Sequence, residues 1–560
     1  MLLKLFYKYF ISCLFLFFCL KSFTQTLSVG TPFLEETWRR KQIKGERDIN
    51  TSFTVRPLYS GTNLQLDSLY NPSNYLSDSS SELTTVTKGK SLIRLLPFVF
   101  KQQYNTHHPY GWNDGAMIQA RGYQTLLSIG LYAKVGILSI QIQPELVYAQ
   151  NKNFGTFPSS HTDSVWHSYY NTVLNVTDIP EKYGNGSYTK LFPGQSSVRL
   201  NFKKLSFGIS TENLWWGPGI RNAIIMSNNA PGFPYLSFNT SSPIFSPIGS
   251  FEGQIISGFL KNSDILPDDT SRKFNGQQLY VPKSTDSRYL NGMIMTWQPK
   301  WTKGLHLGFT RMFYLYESDL ESSLNGYLPV IGSFFKGNTN NEDEKKRDQL
   351  LSVFFRLILP KDHAEFYLEF GRNDHSQNLN DLLQEPEHSR AYIFGGKKIF
   401  TTRKNTDLEL MAEFANFQLP STMLVREQNS WYVHHQVLHG YTHLGQVIGA
   451  GIGPGANSQT FAINWIKGIK RTGVMLERVV HNNDFYYAAF APRRNYKNHW
   501  VDLSINGSKN FFYKRFVFNA NIALVKSLNY HWVNVNPDSG DEVKKNVTNV
   551  FANISLLYQF

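Results

Sequence analysis

The sequence predicts an all-β chain closed into a barrel that crosses a bacterial outer membrane, and three observations predict it. Segments of alternating apolar and polar residues recur at about the length of a tilted membrane-crossing strand. Outside the N-terminal leader no run approaches ~18 consecutive apolar residues, so no helix is expected to span a bilayer. The last segment alternates and closes on an aromatic residue, Phe560.

The leader comes first. Lys4 and Lys8 precede an apolar run from Phe10 to Leu20, the length of a signal-peptide core rather than of a membrane span. Cleavage is expected near Thr24 and Gln25, which sets a leader over residues 1–25. A lipoprotein signal using Cys19 fits less well, because bulky Phe18 stands where that processing takes a small residue and Lys21 follows at once. Both cysteines of the chain, Cys13 and Cys19, lie in this segment. A mature chain without cysteine excludes disulfide scaffolds and cysteine metal sites.

Residues 26–90 read as a short periplasmic helix and a polar linker. Thr31 offers an N-cap, Pro32 a first helical residue, Glu35 and Glu36 an acidic early turn, and Arg39, Arg40 and Lys41 a basic late one. Glu35 with Arg39 and Glu36 with Arg40 are oriented for i,i+4 pairing, and Gly45 can end the helix. The stretch from Asn63 to Lys90, rich in Ser, Thr and Asn, suits a linker or a lumen lining and leads to the first strong strand near Ile93.

Residues 91–560 read as the barrel. Ala364, Phe366, Leu368 and Phe370 interleave with Glu365, Tyr367 and Glu369, and Leu408, Leu410, Ala412 and Phe414 with Glu409, Met411 and Glu413. Phe516, Phe518, Ala520, Ile522 and Leu524 alternate in the same way with Asn519 and Asn521. A period of two puts one set toward lipid and the other toward a wet lumen. Short turns such as 360–363 and 298–304 contrast with polar inserts such as 337–349 and 372–390, the asymmetry of an outer-membrane barrel. A large soluble β-sandwich or propeller shares the alternation but not the leader or the aromatic terminus. In the last strand Val550, Ala552, Ile554, Leu556, Tyr558 and Phe560 share a face, opposite Asn553, Ser555 and Gln559, with Phe551 and Leu557 blurring the pattern. A terminal aromatic on such a strand resembles the mark by which the outer-membrane barrel assembly machinery recognises its substrates. The expected location is the outer membrane of a Gram-negative bacterium.

The net charge of +14 attracts anions generally. An exported barrel meets lipopolysaccharide phosphates and acidic polysaccharides before any nucleic acid, so nucleic acid is not expected as a partner. Counter-charge to an anionic outer leaflet accounts for the surplus equally well.

A family resemblance enters at Leu205 to Gly258. The alternating segment Leu205 to Ser210 is followed by Asn213-Leu214-Trp215-Trp216-Gly217-Pro218-Gly219 and then by Met226-Ser227-Asn228-Asn229-Ala230-Pro231-Gly232-Phe233-Pro234. With Asp178 to Gly184, Pro193 to Ser197 and Gly440 to Gly449, these residues resemble the capsule assembly protein Wzi family. The resemblance implies a barrel of roughly 18 antiparallel strands, plugged by its own loops and carrying helical periplasmic residues. It implies a lectin that binds capsular polysaccharide, an acidic one given the charge, and helps assemble or anchor the capsule, with no catalytic residues and no cofactor. The helical region here is shorter than the resemblance implies. The alternative is an open channel or transporter for small solutes.

Four residues are the ligand-binding candidates: Trp215, Trp216, Asn228 and Asn229. Indole faces stack on the C–H surfaces of sugar rings, and the neighbouring glycines let a ligand approach closely. Interfacial aromatic belts and a Gly-Pro turn account for the same residues without a ligand. Asn228 and Asn229 suit sugar hydroxyls or an Asx-type turn before Pro231. Paired inward carboxylates, Glu365 with Glu369 and Glu409 with Glu413, have the residue types of a glycosidase, but a charged barrel lining explains them and they are expected to pair with inward Arg or Lys. His435, His439 and His443 lie four residues apart, ~13 Å along a strand, too far to share one ion, so no metal site is expected. Gly451 to Ala456 fits a relaxed dinucleotide fingerprint only superficially, with Pro454 inside it and a strand after it.

Overall fold

The computed structural model describes residues 26–59, 85–88, 91–332, 346–373, 383–402, 406–420, 428–468, 470–490, 499–533, 545–558 and 560. The leader over residues 1–25, most of the polar stretch from Asn63 to Lys90, Gln559 and parts of the two long inserts lie outside the described residues.

Among the described residues, eighteen antiparallel strands close into one barrel. They are β1 (Ser91–Asn105), β2 (Gly122–Val135), β3 (Leu138–Ile142 with Glu145–Ala149), β4 (Tyr188–Phe192 with Ser197–Phe202), β5 (Leu205–Ser210) and β6 (Tyr235–Thr240 with Ile244–Ser246). Then follow β7 (Gly249–Leu260), β8 (Arg288–Pro299), β9 (Leu305–Tyr316), β10 (Arg347–Leu359), β11 (Ala364–Asn373) and β12 (Arg390–Thr401). The last six are β13 (Asp407–Asn416), β14 (Asn457–Lys467), β15 (Lys470–Val480), β16 (Val501–Tyr513), β17 (Phe516–Leu528) and β18 (Val547–Tyr558). Pairing of β18 with β1, from Phe551 opposite Asn105 to Tyr558 opposite Phe98, shuts the ring. The breaks in β3, β4 and β6 each contain a proline, Pro144, Pro193 and Pro243, and the register of β1 shifts at Pro97. Proline has no N–H to give the ladder, so each of these strands is interrupted where the sequence places one.

The period-two reading holds in detail. On β11, Phe366 and Leu368 are 54% and 37% exposed and face outward, whereas Glu365, Tyr367 and Glu369 are buried inside. Ile522 and Leu524 of β17 and Ile554 of β18 continue the outer apolar wall. The two residues that blur the last strand point inward for a reason. Phe551 packs its ring 5.6 Å from that of Tyr110, and Leu557 packs on the apolar cluster of Leu34 and Trp38. The lumen is apolar there because it is full. Trp297, Trp301 and Phe251 gather near one rim, with Tyr558 against both Phe516 and Phe560 close to the turn at 514–515. Such aromatics form the girdle of a barrel at its membrane interface.

At one end the connections are as short as residues 136–137, 203–204 and 514–515; at the other they run over 150–187, 211–234 and 417–456. Among the described residues at least three segments fold into the lumen. The first is the N-terminal one, where Thr26–Leu27 pairs with Leu58–Tyr59 around helix α1 (Pro32–Ile43). The second is the loop 211–234 and the third the loop after β13, which brings in buried Trp431 and Tyr432. Trp215–Trp216 pairs antiparallel with Val55–Arg56, so chain from the long-loop end meets chain from the short-turn end in the middle of the barrel.

Helix α1 starts and stops as its sequence directs, with two differences. The Thr31 hydroxyl donates to the Ser28 carbonyl at 2.6 Å instead of capping the helix. Its end is a Schellman motif: Glu46 N–H donates to Lys41 O at 2.9 Å and Gly45 N–H to Gln42 O at 3.0 Å, with Gly45 at φ +71°. The charges expected to pair along the helix turn to other partners. Glu35 meets Arg56 at 3.5 Å, Glu36 pairs with Arg471, Arg39 reaches Glu365 at 2.7 Å, and Arg40 donates to the Gly468 carbonyl at 2.8 Å. Exposed i,i+4 pairs contribute only ~0.2–0.5 kcal/mol each, whereas a charge buried in the lumen must be compensated, so the barrel wall takes precedence.

Candidate functional site

The structure places Trp215 and Trp216 inside the lumen, 4% and 0% exposed, on neither the loop surface nor the aromatic girdle. Trp216 donates its indole N–H to Gln254 Oε1 at 3.0 Å, and the Trp215 ring lies 4.6 Å from the Arg56 guanidinium. Asn228 donates to Asn113 O at 2.8 Å and Asn229 to Val447 O at 2.9 Å, so these amides join separate loops. The close approach that glycine allows here is made by the chain itself. A Cβ on Gly217, at φ +107°, would stand 2.7 Å from Glu369 Oε2, and one on Gly219 would stand 2.0 Å from the Asn222 carbonyl oxygen. The flanking segments stitch to the same plug: Tyr183 donates to Gly445 O at 2.9 Å, Ser227 N–H to Ile448 O at 2.9 Å, and Gln195 Nε2 to Asn213 Oδ1 at 2.9 Å.

The inward carboxylates divide into two kinds. Glu365 sits between Arg39 and Arg356, at 2.7 and 2.8 Å, and Glu409 meets Lys397 at 3.5 Å and Asn464 Nδ2 at 3.0 Å, as expected of a charged lining. Glu413 departs from that expectation. It accepts the consecutive backbone N–H groups of Ile220, Arg221 and Asn222, the shortest contacts being 2.7, 3.0 and 2.8 Å, and the Tyr367 hydroxyl at 2.8 Å. Glu369 likewise accepts Ser352 Oγ at 2.8 Å and Ile224 N–H at 3.4 Å. A folded loop presents orphan N–H groups to the lumen, and a carboxylate satisfies several of them at once.

The loop histidines are each engaged separately. His439 Nδ1 lies 2.9 Å from the Tyr316 hydroxyl, His443 Nδ1 accepts Lys261 N–H at 3.0 Å, and His434 Nδ1 accepts the N–H groups of Gln436 and Val437. Burial, helped by nearby cations, lowers His439 and His443 to about 3, so both stay neutral at physiological pH.

The chemistry open to a ligand gathers elsewhere, in a cavity of ≈ 240 Å³ among the long loops and the tops of β15 and β16. Its walls are aromatic. The Trp500 ring stacks on His481 at 3.9 Å and on His531 at 4.7 Å, and crosses the rings of Tyr530 and Trp532, each at 5.2 Å. Two carboxylates stand among these rings. Asp502 accepts Trp500 Nε1 at 3.1 Å and contacts His481 Nε2 at 2.9 Å; Glu181 accepts Tyr169 OH and Phe157 N–H, both at 3.0 Å. Asn529, His531 and Trp532 have left-handed backbone, φ 50°, 54° and 53°, uncommon for bulky side chains and a conformation that clusters at binding sites. Of the four sequence candidates, Asn229 lines this cavity, while Trp215 and Asn228 line a second one of ≈ 280 Å³ between plug and wall. Tyr110, Gly111 and Trp112 border both. The legible signal for the outer cavity was Tyr, Trp and His at the ends of predicted strands beside polar inserts, as in Asn529-Tyr530-His531-Trp532 and His499-Trp500.

Two loop carboxylates make these loops sensitive to pH. Burial raises Glu181 from 4.5 to about 7 against its hydrogen bonds from Tyr169 and Phe157, and raises Asp484 from 3.8 to about 6 against those from Ser430 and Leu419. A group whose folded value is raised gives stability that is full below its unfolded value and lost as pH rises through the folded one. Protection of the Phe157 and Leu419 amides against hydrogen exchange, corrected for intrinsic rate, is therefore expected to fall from pH 5 to pH 8. Unchanged protection across that window would contradict the assignment.

The family model described as capsule assembly protein Wzi matches residues 105–526, well over half of the chain. Among solved structures the fold agrees with Wzi of Escherichia coli, described as an outer-membrane protein involved in group 1 capsule assembly and a carbohydrate-binding β-barrel. The TM-score is 0.58 at 13% identity, covering 96% of this chain and 99% of that one. OccAB2 of Acinetobacter baumannii matches with a TM-score of 0.40 at 10% identity, over 84% of this chain and 100% of that one. OpdQ of Pseudomonas aeruginosa gives 0.39 at 7%, over 84% and 97%. No curated protein matches the chain. The closed barrel and its apolar outer wall sit in the outer membrane of a Gram-negative cell. The chain belongs to the capsule assembly protein Wzi family.

Proposed function

We propose that this barrel binds capsular or other surface polysaccharide through its long-loop end and helps assemble or anchor that layer at the cell surface. The observation that carries the reading is a lumen packed from both ends beneath an aromatic cavity among the long loops. Short turns of outer-membrane barrels face the periplasm and long loops the exterior, so the cavity meets the glycan layer and α1 lies at the periplasmic end of the lumen. Family membership supports the same role, since the Escherichia coli relative is described as carbohydrate-binding and involved in capsule assembly.

The finer parts of the reading follow from charge and order along the chain. A surplus of +14 draws an acidic capsular polysaccharide, and lipopolysaccharide beside it, toward the loops. Residues 1–25 act as a cleaved leader, 26–90 contribute a linker and the helix that plugs the periplasmic end of the lumen, and the barrel assembly machinery inserts 91–560. Asn229 lines the glycan cavity, while Trp215, Trp216 and Asn228 hold the floor beneath it. The inward carboxylates Glu365, Glu369, Glu409 and Glu413 are engaged by plug and wall, which supports a lining role for them.

A deletion strain tests this directly. It is expected to synthesise polymer but to release a larger fraction into the medium, restored by the intact gene. Normal retention in the deletion strain would contradict the anchoring role.

A further inference from the structure

We infer that the aromatic cavity selects an uncharged pyranose residue over a uronate or other anionic sugar, an inference that rests on the polysaccharide-binding reading above. The cavity's charged chemistry is one-sided. Its described lining includes Glu181 and Asp502 but no Arg or Lys; Lys545, whose charge reaches His531, is not among the lining residues. A sugar carboxylate entering here would lose its water and meet Glu181 and Asp502 with no Arg or Lys among the described lining residues to receive it; Arg221, 4.1 Å from the Trp112 ring, is already paired with Glu477 at 2.9 Å, and Lys182 lies 5.8 Å from the Phe154 ring. A neutral ring brings hydroxyl donors to those same oxygens.

The complementary donors are also present. Trp112 and Trp532 are 8% and 4% exposed, and their indole N–H groups have no partner among the described residues. A buried N–H without an acceptor is costly, and a hydroxyl or ring oxygen supplies the acceptor without charge. Trp500 and Trp532 cross at 86° and Trp500 and Tyr530 at 77°, lining the cavity with apolar ring surface against which the C–H groups of a pyranose can pack. The volume of ≈ 240 Å³ is below the ~300–1,000 Å³ of sites for drug-sized ligands, which suits a single ring rather than a run of chain. Burial also keeps Glu181 partly protonated near neutral pH, able to donate to a sugar oxygen as well as accept. The basic surplus of the whole chain then acts at long range, gathering an acidic polymer whose neutral residue is what the cavity holds.

The test uses the intact purified barrel in detergent and the strain's own surface polysaccharide, partially hydrolysed and separated by anion exchange into neutral and acidic fragments. Binding is read by tryptophan fluorescence and by competition against the whole polymer. Neutral fragments are expected to bind and compete with little dependence on salt, with affinity falling at least tenfold in Trp500→Ala and by less in Trp500→Phe. Both variants must keep the heat-dependent gel mobility of a folded barrel; if Trp500→Ala does not, Asp502→Asn replaces it with the same expected loss. Acidic fragments competing better than neutral ones, with affinity weakened by salt, would overturn the selectivity while leaving polysaccharide binding in place. Whole polymer bound equally by wild type and Trp500→Ala would overturn the cavity as the site. Failure of the wild type to bind polymer or any fragment would instead remove the proposed function on which the selectivity rests.

Discussion

Replacing Glu365 by Leu is expected to undock helix α1 and open the barrel. Glu365 is fully buried between Arg39 and Arg356, which are 3% and 0% exposed. The Phe53 ring lies 5.9, 5.6 and 5.3 Å from the guanidinium carbons of Arg39, Arg356 and Arg56, so three cations crowd one ring with Glu365 and Glu35 as their anions. Removing one partner of a buried pair costs about 3–5 kcal/mol because the remaining charge is left uncompensated. The strand ladder does not depend on Glu365, so assembly survives while the plug loosens. In planar bilayers Glu365→Leu is expected to conduct steadily and to convert to its slow-migrating form at a lower temperature, with Glu365→Asp intermediate. A variant as closed and as heat-resistant as the wild type would show that this cluster does not hold the plug.

Gly219→Val is expected to act on the same plug from the other end. Any Cβ at position 219 would meet the Asn222 carbonyl at 2.0 Å, a backbone atom that cannot rotate away. The 220–222 turn would have to shift, and with it the three N–H groups that Glu413 accepts. Leaving a buried acceptor with fewer partners adds roughly 1–3 kcal/mol to the steric cost. The expected result is a barrel that assembles but is cut by added protease within the 211–234 loop. Glu413→Gln should give a milder form of the same cleavage. Resistance of Gly219→Val to protease, equal to wild type, would contradict the geometry.

The parts of this fold that were legible are those written in local pattern. Strands such as β11, β13 and β17 could be read from the sequence because one lipid wall imposes a period of two, and α1 because Pro32 and Gly45 mark its ends. The site was less legible because its contacts are distant. Trp216 pairs with Val55 and Asn229 reaches Val447, 218 positions away, so residues that suit a sugar site by type are committed to holding loops together. The carboxylates show the same limit. Alternation placed Glu365, Glu369, Glu409 and Glu413 inside, but whether each meets a cation or a run of backbone N–H groups depends on which loop descends onto it. The outer cavity draws short runs from several loops, Tyr110 to Trp112 and Tyr530 to Trp532 among them, and no spacing within one segment encodes that assembly.

The most direct test of the account pairs binding with closure in a single preparation. Purified wild-type protein is expected to bind the polysaccharide of its own strain while showing little steady conductance in a planar bilayer, because the lumen is filled by the N-terminal segment and the two inserted loops. Large steady conductance together with absence of polysaccharide binding would contradict the account and identify the barrel as a channel.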